Sequence, residues 1–182
     1  MITVFWIEVP IGAAAVLARS ADWKGVWDMI AERFMKESFC VIGKEGSAGD
    51  DPGFIRRLWA DANAHFAQIA PLAKKNGDGS LTGIWGAMTD FSRSFRPWED
   101  GFSRGLYLAG VECRGDALPP EGWTKWTVPS YEYLKVECDS PAAFWDSIAY
   151  LEEKGIPLAG AVQDFTCPRT GKSYMCFPVK KL

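Results

Sequence analysis

Apolar positions in the first part of the chain recur every three or four residues, as expected for helices. One such run predicts an amphipathic helix after Ser20 or Asp22, with an apolar face of Trp23, Val26, Trp27, Ile30 and Phe34. A second run predicts a helix that begins at Asp51 and Pro52 and closes at residues 74–77, unless Pro71 ends it earlier. The inward face of this second helix comprises Phe54, Leu58, Trp59, Ala62, Phe66 and Ile69.

Short apolar runs bounded by glycine predict strands around these helices. In the first half they are FCVIGKEG at 39–46, GIWGAMTDF at 83–91 and GLYLAGVEC at 105–113. In the second half YEYLKVEC at 131–138 predicts a strand, because tyrosine and the β-branched Val136 favour extended backbone.

The second half continues with a helix that residues 139–141 open and residues 154–155 close, with Phe144, Ile148 and Leu151 facing inward. GAVQDFT at 160–166 and KSYMCFPVK at 172–180 then predict two more strands. Both halves therefore show the order strand, helix, strand, strand.

A short sequence echo accompanies this repeated order. GAMTDFS at 86–92 and GAVQDFT at 160–166 share four of seven letters, and each follows the helix of its half. We infer an internal duplication. The predicted fold is α+β: two βαββ units form an antiparallel sheet with the helices on one face and a central ligand cleft. The predicted domains are an N-terminal extension over 1–37 and a duplicated domain over 38–182, with repeats at about 38–113 and 124–182.

Composition narrows the possible functions. The chain has 182 residues, a formal net charge of −3 and no Lys/Arg-rich run, which argues against direct nucleic-acid binding. Five cysteines without a CxxC pair fit a cytoplasmic protein better than a disulfide framework. His65 is the single histidine, so neither a zinc site nor a histidine-based triad is expected, and no cofactor is implied.

The N-terminal 18 residues are apolar enough to suggest a secretory signal. However, no basic segment precedes them, and Glu8 and Pro10 interrupt the run, which also argues against a membrane span. Nine Trp and eleven Phe are many for this length, and such a surplus often lines a ligand pocket, although most aromatic residues pack in cores.

The strand motifs together resemble a known family. FCVIGKEG, WGAM at 85–88, GLYLAGVE at 105–112, GWTKWTVP at 122–129, YEYLKVE and YMCFPVKK resemble the GyrI-like small-molecule-binding domain, the effector domain of many AraC- and MerR-type regulators. The resemblance spans about residues 38–181. It implies a duplicated βαββ fold whose cleft takes bulky, aromatic and often cationic molecules, with an acidic residue inside. Upstream of residue 38 there is no room for a complete helix-turn-helix domain, which argues against regulation by this chain alone.

The resemblance also suggests where the acid lies. Family members carry it in a Glu-x-Tyr pattern on the strand after the second helix, where this chain reads VQDFT, so Asp164 is the nearest match. Some relatives with WGAM and YLAGVE motifs are similar to hydrolases of cyclopropane-bearing DNA-alkylating compounds, in which a pocket carboxylate acts on water.

Two further carboxylates are candidates from the pattern itself. Glu112 shares a strand face with Leu106, Leu108 and Gly110, so it is either a pocket acid or a solvent-facing strand end. Asp90 and Asp164 occupy matching places in the echo and either face each other across the cleft or cap turns.

Aromatic and methionine side chains complete the candidate site, each with core packing as the alternative. The predicted ligand-binding residues are Trp85, Met88, Trp98, Phe102, Tyr107, Glu112, Trp123, Trp126, Tyr133 and Asp164.

We therefore expect a receptor for bulky aromatic or lipophilic cations, with a homodimer as the candidate assembly in solution. The first alternative is a cofactor-independent hydrolase in which Glu112 is the general base that opens a strained, electrophilic ring. The second alternative is an interaction module that forms the sensor half of a two-chain regulator.

Overall fold

The computed structural model describes residues 31–49, 53–138, 140 and 142–182. The apolar N-terminal 18 residues, for which a secretory signal was considered, and most of the first predicted helix lie outside these residues. Phe34 does not belong to a helix: it lies in strand β1 (Glu32–Lys36), which pairs with a later strand and forms one edge of the sheet. The strand therefore joins the domain that we expected to begin at residue 38, because cross-strand pairing outweighs the helical spacing of its apolar residues.

The elements of the two repeats follow the predicted order, and one further strand between the repeats was not predicted. The first repeat contains β2 (Phe39–Ser47), helix α1 (Phe54–Ala64), β3 (Ile84–Thr89) and β4 (Leu106–Cys113). β5 (Thr124–Val128) connects it to the second repeat, which contains β6 (Tyr131–Glu137), helix α2 (Ala142–Glu153), β7 (Gln163–Thr166) and β8 (Ser173–Lys181). Two single helical turns, Phe66–Gln68 and Glu99–Phe102, interrupt the connections of the first repeat.

All eight strands form one antiparallel sheet in the order β1-β6-β8-β7-β3-β4-β2-β5. In each repeat the third strand lies between the first and the second, and the two repeats meet where β3 pairs with β7. The α+β fold of duplicated βαββ units is confirmed.

The sequence echo does not coincide with structural equivalence. Asp90 follows the end of β3, whereas Asp164 lies inside β7 and pairs with Gly86. The two carboxylates therefore do not face each other across the repeat axis. The two halves repeat the order of elements, but the two seven-residue segments do not occupy equivalent positions along β3 and β7.

Two short connections force the sheet to curl. Only two residues separate β1 from β2, which are the first and seventh strands of the order, and only two separate β5 from β6. In a flat sheet β1 and β2 would be about 29 Å apart, whereas the chain from Lys36 to Phe39 spans at most about 11 Å. The connections meet: Ser38 N donates to Ser130 Oγ (2.8 Å) and Ser38 Oγ donates to Val128 O (3.0 Å).

The curl buries both faces of the central strands, and every residue of β3 is buried. A strand that is buried on both faces is expected to consist of a continuous run of apolar residues. The concave face encloses an aromatic core drawn from both edges of the sheet: Phe39, Val41, Trp85, Ala87, Phe95, Leu108, Trp126, Val128, Tyr131, Tyr133 and Cys176.

The two helices cover different parts of the opposite, convex face. α1 packs against β2 and β4, and α2 lies over β6. α1 ends at Ala64, earlier than its apolar spacing predicts, but Ile69 beyond it is still buried. The middle strands β3 and β7 lie between the two helices in the strand order. In the described part of the chain no helix is both long and apolar enough to cross a bilayer.

Glycine permits the curl where β2 and β4 approach most closely. Gly43 and Gly110 are opposite each other in the register, and a Cβ on either one would overlap the backbone of the other strand. We expect Gly110→Ala to lower the free energy of unfolding by about 3 kcal/mol, because the strands would have to separate. Urea denaturation measures this change. The control is Gly115→Ala, where a Cβ meets nothing within 4 Å; equal effects of the two substitutions would contradict the close approach.

Candidate functional site

The β3–β7 junction places Asp164 on the helix-bearing face of the sheet. Asp164 pairs with Gly86, whose strand neighbours Ile84 and Met88 belong to the core beneath α1. On the other side, Asp164 pairs with Met175, which belongs to the core beneath α2. The carboxylate thus lies between the two apolar clusters, near the axis that relates the repeats.

Tyr107 is the polar partner of this carboxylate. Its hydroxyl donates to Asp164 Oδ2 (2.9 Å) and accepts a bond from Trp59 Nε1 (3.3 Å). Gly86 provides the room for this arrangement, since a Cβ there would overlap the Tyr107 hydroxyl and lie 2.9 Å from Asp164 Oδ2. Helix α1, β3, β4 and β7 therefore each supply one member of the cluster Trp59, Gly86, Tyr107 and Asp164, which we call the Asp164 cluster.

The surroundings of Asp164 favour its neutral form. Desolvation raises the pKa of this carboxyl from 3.8 to about 7, although the hydrogen bond from Tyr107 opposes the shift. Burial raises the pKa of Tyr107 well above 10, and the Asp164 charge adds to this effect, so the tyrosine stays protonated and remains the donor. Among the described residues, no basic side chain contributes to the Asp164 shift.

Glu112 has different surroundings. Its side chain is 2% exposed, and its two carboxylate oxygens accept bonds from Lys36 Nζ and Lys74 Nζ, each at 3.1 Å. The Lys36 ammonium also lies over the rings of Phe39 (4.3 Å) and Trp85 (5.4 Å). The alternative of a solvent-facing strand end is therefore wrong, because the side chain is buried, and both of its oxygens already have cationic partners. The sequence pattern did not indicate the lysines, which come from distant segments.

Asp90 anchors a loop. Its carboxylate accepts bonds from the backbone N–H groups of Ser92, Ser94 and Arg96 and from the hydroxyls of Thr89, Ser92 and Ser94. Burial alone would raise the pKa of Asp90, but these bonds outweigh it and hold the pKa well below its usual range. The turn-capping alternative therefore describes Asp90, and the loop that it fixes leads to Trp98 and Phe102.

The alternation of side chains along strands divides the predicted site residues between two faces. Trp85, Trp126 and Tyr133 are buried in the concave core, and Glu112 shares their face. Met88, Tyr107, Trp123 and Asp164 are on the helix-bearing face, where Trp98 and Phe102 also pack. A single ligand on the convex face therefore cannot contact all ten predicted residues. Trp85, Glu112, Trp126 and Tyr133 lie on the other face of the sheet.

Phe102 brings the first repeat into contact with α2. Its ring meets Phe144 (5.1 Å between centroids) and Trp145 (6.0 Å), both edge-on. Trp98 is fixed at the base of the same loop, where its Nε1 donates to Leu106 O (3.1 Å). Trp123 lies further away, where its Nε1 donates to Gln68 Oε1 (2.7 Å).

Trp59 and Gly86 are the members of the Asp164 cluster that were absent from the predicted site. The helical pattern showed that Trp59 is buried but not that its indole donates to Tyr107. Gly86 lies in the WGAM run, whose glycine signals close approach. No group of three or more His, Cys, Asp or Glu in the described ranges could hold a metal ion.

No family model matches the sequence, and no curated protein matches it. Several solved structures share its fold. An integron cassette protein from the mobile metagenome of Vibrio cholerae has a TM-score of 0.53 at 17% identity, over 83% of this chain and 96% of that chain. SAV2435, solved bound to tetraphenylphosphonium, also has a TM-score of 0.53 at 17% identity, over 82% of this chain and 93% of that chain.

The EcmrR C-terminal domain is a third similar structure, with a TM-score of 0.53 at 12% identity, over 84% of this chain and 98% of that domain. Against the EcmrR chain in its DNA complex, the TM-score is 0.56 and this chain covers 59% of that chain. The chain shares the fold of these structures, which is the α+β GyrI-like fold that the sequence motifs implied.

The raised pKa of Asp164 predicts a gain in stability when its charge is removed. Between pH 4 and 7 the unfolded state releases this proton first, so the ionisation of Asp164 destabilises the fold as the pH rises towards 7. The full shift corresponds to about 4 kcal/mol, and partial exposure of Asp164 reduces the expected effect to about 2 kcal/mol. We expect Asp164→Asn to increase the free energy of unfolding by that amount at pH 8, measured by urea denaturation.

The comparison variant is Asp90→Asn, whose effect should have the opposite sign. Because the pKa of Asp90 is lowered, its charged form stabilises the fold, and the substitution should destabilise the protein at pH 8. A loss of stability in both variants would show that Asp164 is not held in a desolvated place.

The two ion pairs predict that Glu112 matters for stability. We expect Glu112→Gln to cost about 3 kcal/mol, because it leaves the largely buried Lys36 without its counter-charge. Lys74 is 55% exposed, so Lys74→Met should cost less than about 1 kcal/mol. Thermal and urea denaturation compare the two variants, and an unchanged Glu112→Gln protein would argue against a structural role.

Proposed function

We propose that the protein binds bulky aromatic or lipophilic cations on its helix-bearing face, with Asp164 as the counter-charge. The observation that carries this proposal is a half-buried carboxylate that has a neutral hydroxyl as its partner and, within the described chain, no ion-pair partner. A charge in such a place is costly unless it is paired or functional.

A lipophilic cation satisfies both the charge and the apolar surroundings. At neutral pH Asp164 exchanges between its protonated and charged forms, and a bound cation selects the charged form. Hydration of a large organic cation is weak, so its transfer between the two apolar clusters costs less than that of an ammonium ion. Tyr107 keeps the carboxylate oriented by donating to Oδ2, and Oδ1 has no hydrogen-bond partner among the described residues.

Aromatic side chains from both repeats provide the second element of recognition. Phe102 reaches from the β3–β4 loop to Phe144 and Trp145 on α2. Aromatic faces attract cations by about 0.5–2 kcal/mol per ring. We infer that Met88 and Phe102 are ligand contacts, that Tyr107 positions the carboxylate, and that Trp98 supports the loop that carries Phe102.

The similar structures support this class of ligand. SAV2435 was solved with the aromatic cation tetraphenylphosphonium, and the similar part of EcmrR is the C-terminal domain of a protein that binds DNA. We therefore infer an effector-binding role in the cytoplasm, where cysteines stay reduced. The contacts of Glu112 give no support to the alternative of a hydrolase with Glu112 as its general base.

Two probes of the same shape and opposite charge test the proposal. Titration with tetraphenylphosphonium, followed by tryptophan fluorescence and calorimetry, should give saturable binding at pH 8. Affinity should fall as the pH drops below about 7, by up to tenfold per unit, because protons compete for Asp164. Tetraphenylborate has the same shape and the opposite charge, so it should bind at least tenfold more weakly.

Variants identify the counter-charge. Asp164→Asn should weaken tetraphenylphosphonium binding about tenfold and remove its pH dependence. Tyr107→Phe should shift the midpoint of the pH dependence of binding to higher pH. The reason is that the Tyr107 hydrogen bond, which this variant lacks, lowers the pKa of Asp164. The matched control is Asp116→Asn at an exposed carboxylate. Equal binding of both tetraphenyl ions, or full affinity in Asp164→Asn, would overturn the proposal.

A further inference from the structure

Two cysteines lie directly opposite each other on neighbouring strands. Cys40 of β2 and Cys113 of β4 are partners in the antiparallel register. Residues opposite each other in a sheet project from the same face, and both cysteines pack in the core beneath α1. Both are free thiols. The arrangement has no part in the cation site proposed above and stands independently of it.

Backbone hydrogen bonds show which kind of strand pair the cysteines form. Glu112 N donates to Gly83 O (3.0 Å), and Lys74 N donates to Glu112 O (2.8 Å), so the backbone polar groups of Glu112 point away from β2. Those of the next residue, Cys113, therefore point towards β2 and Cys40. The Cα atoms of such a hydrogen-bonded pair are about 5.5 Å apart, within the range of roughly 4.4–6.8 Å that disulfides span.

The two thiols differ in accessibility. Cys113 is 3% exposed, and burial, followed by the proximity of Cys40, raises its pKa to about 11. Lys125 and Arg114 oppose this rise, and Glu112 adds to it. Cys40 is half-buried, and its Sγ lies 3.4 Å from Thr127 Oγ1 near the β5 edge. Cys40 is therefore the thiol that a reagent in solution meets first.

We propose that Cys40 and Cys113 form a reversible disulfide when the folded protein meets a small oxidised disulfide such as oxidised glutathione. The Cys40 thiolate attacks one glutathione sulfur, forms a mixed disulfide and releases one reduced glutathione. The Cys113 thiolate then attacks Cys40 Sγ and expels the second glutathione. The two protein thiols are oxidised, the reagent is reduced to two thiols, and no other reactant is needed.

Geometry makes this bond a switch and not a permanent link. The Cβ atoms of a hydrogen-bonded strand pair are about 5.5 Å apart, whereas a relaxed disulfide needs about 3.8 Å. The strands must draw together locally to form the bond, and strained disulfides are readily reduced. Oxidation would join β2 covalently to β4, the strand that also carries Tyr107 of the Asp164 cluster.

Thiol counting on the folded protein tests the proposal. After incubation with oxidised glutathione, blocking and unfolding, Cys40 and Cys113 should no longer be free thiols, and neither should retain glutathione. Peptide mapping should show one linked pair, Cys40 with Cys113, and dithiothreitol should restore all the thiols.

Substitutions separate this pair from the other cysteines. Cys40→Ser and Cys113→Ala should each abolish the internal bond, and Cys40→Ser should do so without disturbing the core, because Cys40 is only half-buried. The double variant Cys138→Ser with Cys167→Ser should keep it. Five persisting thiols, a link that involves any other cysteine, or a glutathione adduct on Cys40 that never resolves would each overturn the proposal.

Discussion

Two connections of two residues each govern the architecture of this protein. They join strands from opposite ends of an eight-strand order, so the sheet has to curl until its edges approach each other. The curl creates a concave interior in which six of the eleven buried side chains are aromatic, and it brings Lys36 of the first strand to Glu112 of the sixth. This second core accounts for part of the surplus of Trp and Phe, namely Trp85, Trp126, Phe39 and Phe95, and the Gly43 and Gly110 pair allows β2 and β4 to approach closely.

The curl also separates two kinds of buried charge. On the concave face Glu112 is fixed between two ammonium groups, which is how proteins stabilise a charge that stays ionised. On the convex face Asp164 has a hydroxyl for a partner and a pKa of about 7, so its charge depends on its surroundings. A carboxylate of the second kind responds to a bound cation, and a carboxylate of the first kind holds the fold together.

The repeat axis decides where the responsive carboxylate lies. The helices of the two repeats cover different strands, and the junction of β3 with β7 lies between them. Each repeat contributes to the Asp164 cluster, since Trp59, Gly86 and Tyr107 come from the first and Asp164 from the second. Loss of the pairing between β3 and β7 would therefore remove the site, although each repeat kept its own core.

Local sequence determined the order of elements within each repeat, because apolar spacing and glycine boundaries depend only on neighbouring residues, but it indicated neither β1 nor β5. The motifs around β2, β3, β4 and β6 were enough to identify the fold, and the VQDFT stretch made Asp164 a candidate for the acidic residue. Which faces these residues occupy was decided by tertiary structure. Because side chains alternate along a strand, the sequence shows that Trp85 and Met88 project from opposite faces of β3. Only the curl of the sheet decides which of these faces encloses the concave core. The lysines beside Glu112 and the indole beside Tyr107 come from distant segments, and no local pattern encodes such distances.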